Sequence, residues 1–195
     1  MFNGFRSISI RMKSPMAYPI ARLLPLTLLL SVQAYACRSP QCQESELKAA
    51  MVLNFTRFVK WPQGAFSAPE TPLTICVAGE EPFLRDLETA AHGKSVFGHP
   101  FKVINGEDQT SAACHVLYLP QSQKKYPPAI SRPGTLTVGD ADRFARSGGM
   151  IGLMFEGGNL RFEVNLAASS KAGLILSSKL LKVASATFQS AEGPR

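Results

Sequence analysis

The chain has 195 residues, of which 21 are Lys or Arg, 14 are Asp or Glu, three are His and four are Cys. Its formal charge of +7 is mostly a terminal feature, because Arg6, Arg11, Lys13 and Arg22 all precede the first acid, Glu44. Setting those four aside leaves 17 basic against 14 acidic residues, a balance of +3 that is too weak to argue for nucleic acid.

Residues 1–36 have the pattern of a secretory signal. After the basic start comes an apolar run, Leu23 to Val32, too short to span a bilayer. Ala34-Tyr35-Ala36 then puts small residues where signal peptidase requires them. Cleavage after Ala36 is expected to leave 159 residues, which suits one domain with a sizeable core. Met12 and Met16 remain open as alternative starts. The expected organisation is a signal at 1–36, a tail at 37–45, a folded domain at 46–186 and a C-terminal tail at 187–195.

The stretch Leu47 to Pro62 predicts an amphipathic helix. At about 100° per residue, Leu47, Met51, Val52, Phe55, Phe58 and Val59 share one arc, with Leu53 and Arg57 outside it. Ser45 is the expected N-cap and Trp61-Pro62 the expected stop. Leu73 to Val77 predicts a buried strand, and Glu81 to Ala91 a helix with Pro82 near its start and Phe83, Leu84, Leu87 and Ala91 inward. Strands are expected at Phe101–Ile104, His115–Leu119 and Thr135–Val138. Gln121 to Ser131 is polar and broken by Pro127-Pro128. Ile151–Glu156 and Leu160–Leu166 flank Gly157-Gly158-Asn159, a hairpin signature. Ala167–Ala172 and Ser177–Ala186 predict helices around Gly173-Leu174-Ile175. Strands alternating with helices, then a hairpin, predict an α/β fold, a single layered domain with a mixed β-sheet flanked by helices.

All four cysteines, at 37, 42, 76 and 114, follow the leader. An even count in an exported protein favours disulfides over metal or catalytic thiols. Cys76 and Cys114 lie in or beside predicted strands, and a bridge between them would close a loop worth about 4 kcal/mol at most. Two buried free thiols are the alternative. Cys37 and Cys42 could pair locally or reach outside the chain. Cys37 would also be the first mature residue, although Ala34 and Tyr35 make a poor lipoprotein signal.

The catalytic inventory is thin. His92, His99 and His115 have no metal-ligand spacing, and no metal site or cofactor is expected. No nucleophile elbow, phosphate loop or dinucleotide fingerprint occurs. Asp140 and Asp142 follow a predicted strand where a helix N-cap would sit. The chain is therefore expected not to be an enzyme, with an uncharacterised hydrolase as the remote contrary case.

Four stretches together resemble one family. Lys48-Ala49-Ala50 with Asn54-Phe55 and Phe58-Val59-x-Trp61-Pro62 resembles the opening signature of the YfiR family of exported bacterial proteins. The Leu73 to Gly79 strand with Cys76, the Gly157 to Leu166 stretch and the Ala172 to Leu181 tail are similar to the same family in order and spacing. The resemblance implies a periplasmic repressor that binds the periplasmic domain of an inner-membrane diguanylate cyclase, lowering cyclic di-GMP and biofilm formation. It also implies a homodimer and sequestration by an outer-membrane lipoprotein. Cys76 and Cys114 match the family's structural pair. Some relatives carry a second pair in the segment matching Phe144 to Gly152, where this chain has no cysteine, and Cys37 and Cys42 are extra to the pattern. Lys179 matches a basic position tied to ligand binding in relatives. The partner contact is expected on an apolar surface around Leu174, Ile175 and the Phe155 hairpin. The alternative is a small-molecule-binding periplasmic module that serves another membrane receptor, such as a histidine kinase.

Overall fold

The computed structural model describes residues 40–78, 81–106, 114–121 and 132–189, all within one compact unit, Cys37–Arg195. The leader, Cys37 and nearly all of the Gln121 to Ser131 stretch lie outside them. In chain order the elements are α1 (Pro40–Thr56), β1 (Val59–Lys60), β2 (Leu73–Val77), α2 (Glu81–Ala91), β3 (Ser95–Val96), β4 (His99–Asn105) and β5 (Val116–Leu119). β6 (Leu136–Gly139), β7 (Ile151–Glu156), β8 (Asn159–Asn165), α3 (Leu166–Lys171), β9 (Ile175–Leu176), α4 (Ser178–Val183) and β10 (Ala186–Phe188) complete them.

The layered α/β fold with a mixed sheet is as expected. Eight strands run in the order β10-β8-β7-β6-β5-β2-β4-β3. β4, β2, β5, β6 and β7 are mutually parallel, β7 and β8 form the antiparallel hairpin, and β10 lies parallel to β8. β2 is buried along its whole length because it has a strand on each side and side chains packed on both faces. Leu73, Ile75 and Val77 face the larger core with residues of all four helices. Cys76 and Ala78 face a smaller cluster with Leu117, Leu119 and Phe144.

The local signals placed most elements well. α2 has the bounds its sequence predicts, with Leu87 and Ala91 buried and Phe83 and Leu84 partly so. The β7–β8 turn uses Gly157 and Gly158 at φ 58° and 80°, the left-handed region that a tight hairpin demands.

α1 departs most from expectation. It starts at Pro40, so residues 40–45 are helix rather than tail, and Ser45 lies inside it instead of capping it. The Ser45 hydroxyl donates to the Asp86 carboxylate, tethering α1 to α2. The helix ends at Thr56, well before Trp61-Pro62, and Val59–Lys60 is already extended because it pairs antiparallel with β9. The buried set also shifts. Leu47 is 42% exposed, whereas Leu53, expected outward, is only 6% exposed. β10 is a further correction, since Ala186–Phe188 was expected to divide between a helix and a tail. Its pairing with β8 lies beyond local pattern.

Candidate functional site

Oxidative cross-linking ties the smaller face of the sheet together. Cys76 on β2 and Cys114, just ahead of β5, form a disulfide with Cα atoms 5.7 Å apart and a sequence separation of 38. The bridge sits in the cluster with Leu117, Leu119 and Phe144, away from the helices. Cys42 on α1 is also disulfide-bonded. Cys37, one of the partners left open for it, lies outside the described residues.

A second feature lies where the chain reverses direction across the sheet. β2 leads to β4 on one side and β5 lies on the other, so the carboxyl ends of β2 and β5 flank a switch point, the usual ligand crevice of such sheets. Here α1 and α2 line that crevice, with Glu44, Ser45, Lys48 and Phe83 beside Tyr118, Pro120 and Asp140 around about 230 Å³. Lys48 Nζ lies 2.6 Å from both Glu44 Oε1 and Asp140 Oδ2. Burial alone would lower the Lys48 pKa, but hydrogen bonds and charge from Asp140 and Glu44 outweigh it and hold the pKa above its ordinary value. Asp140 was expected to cap a helix. Instead it also accepts the Gln121 backbone N–H, at 2.7 Å, so it joins α1 to the exit of β5.

Two histidines sandwich an aromatic ring. Phe66 stacks on His99 with centroids 3.9 Å apart and on His115 at 4.4 Å. His115 lies just ahead of the interior strand β5 with both ring nitrogens hydrogen-bonded. Its Nδ1 accepts the Thr74 N–H at 3.0 Å, and its Nε2–H donates to the Ala65 carbonyl at 2.9 Å. Burial pushes its pKa down, the Ala65 bond opposes that, and nearby His99 adds to it. The pair therefore fastens the 63–71 loop to the sheet. His99 and Phe66 also line an aromatic cleft of about 260 Å³ with Trp61 and Phe97.

A larger groove of about 500 Å³ opens between α1, β8 and α4. Phe55 and Phe162 meet edge to face at 5.0 Å in its wall, beside Leu180, while Arg57 and Arg161 line it from α1's end and from β8. No local signal predicts it, because its walls come from segments more than 100 residues apart in sequence.

The residues expected at the partner surface divide. Phe155 is 36% exposed beside the hairpin turn, and Ile175 on β9 is 63% exposed. Leu174 is only 2% exposed and belongs to the larger core, so it offers no contact surface. The buried side chain is needed where the chain turns from α3 into β9, and its backbone N–H donates to the Ser169 carbonyl at 2.9 Å. Lys179 is exposed in the first turn of α4, its backbone N–H donating to Ser177 Oγ at 3.3 Å. It does not line the groove. Among the described residues, no cluster of His, Cys, Asp and Glu could hold a metal ion, and no helix is long and apolar enough to cross a membrane.

Compared with known proteins, the chain matches the family model described as DUF4154, YfiR/HmsC-like, over residues 45–185. No curated protein matches it.

Proposed function

Because the chain belongs to the YfiR/HmsC-like family, we propose that it is a periplasmic regulatory protein that binds and represses an inner-membrane diguanylate cyclase. The observation that carries this reading is the family match, which spans nearly all of the described fold. Residues 1–36 act as the signal, cleaved after Ala36, and the protein works without catalysis. Repression is a population shift. The regulator binds the cyclase's inactive arrangement more tightly than the active one, so cyclic di-GMP falls only as far as that affinity difference allows. Phe155 and Ile175 are the apolar side chains offered for the contact, since both are exposed. The regulator acts as a homodimer, and an outer-membrane lipoprotein relieves repression by sequestering it. The test is deletion in the native host, with the neighbouring cyclase expressed. Cyclic di-GMP and surface attachment should both rise, and unchanged levels of both would overturn the proposal.

A second reading, a small-molecule-binding module that serves another receptor such as a histidine kinase, is favoured by one observation, the groove bounded by Arg57 and Arg161. Calorimetry on the isolated protein separates the two. A saturable ligand site in a strain whose cyclic di-GMP ignores the deletion supports this reading over repression.

A further inference from the structure

We infer that the groove between α1, β8 and α4 binds a single-chain amphiphile with an anionic carboxylate head, and that Arg57 and Arg161 hold the head. The inference stands apart from which receptor the protein serves. At about 500 Å³ the groove is in the range of small-molecule sites, and it could take one chain rather than a bilayer surface. Its wall is built from side chains that the fold has already desolvated. Phe55, Phe162 and Leu180 are 1%, 5% and 3% exposed. Val183, which also lines it, is 70% exposed, an apolar side chain left in water unless something covers it.

The polar groups set the ligand's chemistry. Among the described residues, no acidic side chain lines the groove. Neither arginine is ion-paired within the described residues, whereas Arg146 reaches Glu163 and Lys48 reaches two carboxylates. The negative end of α1 accounts for a cation at Arg57. It does not account for Arg161, which comes from a strand and lines the same groove. Two arginines lining one apolar groove match a carboxylate, whose two oxygens fit the planar fork of donors. Asn54 and Ser185 are the remaining polar side chains there, too few to orient a polyhydroxylated or heterocyclic body. An alkyl chain needs no such groups and gains from leaving water in proportion to its buried area.

The experiment titrates the full mature chain by calorimetry with decanoate, with acetate as the head alone and with decylammonium as the same chain under the opposite charge. Decanoate is expected to saturate one site per chain, while acetate and decylammonium do not. Arg57→Gln with Arg161→Gln should weaken decanoate at least about ten-fold, since each lost charge-assisted hydrogen bond exceeds the interval for one decade. Because those changes could act through the fold, the charge-reversed pair Arg57→Glu with Arg161→Glu supplies the second readout, and it should now bind decylammonium. Sedimentation with phosphatidylglycerol vesicles separates a free amphiphile from a membrane. Vesicle binding without saturable decanoate binding overturns the inference. So does equal binding of decanoate and decylammonium, or decanoate affinity unchanged in the Gln pair.

Discussion

The Cys76–Cys114 bridge allows the contribution of one covalent constraint to be isolated. In a Cys37→Ser/Cys42→Ser background it is the one disulfide left, so oxidised and reduced forms of the same chain differ by that bond alone. The bridge spans 38 residues of sequence. Closing a loop of that length removes unfolded-chain entropy worth about 4 kcal/mol near room temperature. The reduced folded state should be little strained, because Cys76 is 1% exposed among Ala78, Leu117 and Leu119, surroundings that suit a thiol. Nearly all the loss should therefore come from the unfolded side. Reduction should lower the urea-unfolding free energy by about 3–4 kcal/mol and the melting temperature by about 8–15 °C. Equilibrium unfolding followed by circular dichroism, with and without reductant, measures it. A loss below about 1 kcal/mol would show that the bridge is not constraining the unfolded chain, and the loop-entropy reasoning would fail.

Three more outcomes follow from packing and charge. The folded-state pKa of His115 lies below its unfolded value, so its contribution is complete above an unfolded pKa of about 6.5 and is lost as pH falls through the folded value. Urea midpoints recorded from pH 8 to pH 5 should fall with acid, and His115→Gln should flatten that slope. Leu53→Ala should cost about 2–4 kcal/mol and Leu47→Ala less than about 0.5 kcal/mol, since Leu53 is 6% and Leu47 42% exposed. Denaturant titration yielding the reverse order would restore the helical-wheel phase. A Cβ at Gly149 would run into the Phe144 ring, so Gly149→Ala should lose about 1–3 kcal/mol, and a smaller Phe144→Leu partner should recover part of it in a double-mutant cycle.

Sequence alone was enough wherever the cause was local. The short, largely apolar run of β2, the bounds of α2 and the Gly157-Gly158 hairpin each follow from neighbours within a few residues, through side-chain composition and periodicity or backbone freedom. The cysteine count likewise pointed to disulfides, and four spaced motifs pointed to the family whose model spans residues 45–185. Tertiary structure decided what depends on distant segments. α1 packs against α2 through Ser45 and Asp86 and against β8 through Phe55 and Phe162, so two neighbours, not one, determine which of its residues are buried. Its end at Thr56 depends on β9, more than 100 residues later, which draws Val59 and Lys60 into a ladder. β10 exists because β8 offers it a parallel edge. The same reason removed Leu174 from the expected surface and created the groove of Arg57, Arg161 and Val183. Burial is a property of what lies across the chain in space, and periodicity records only what lies along it.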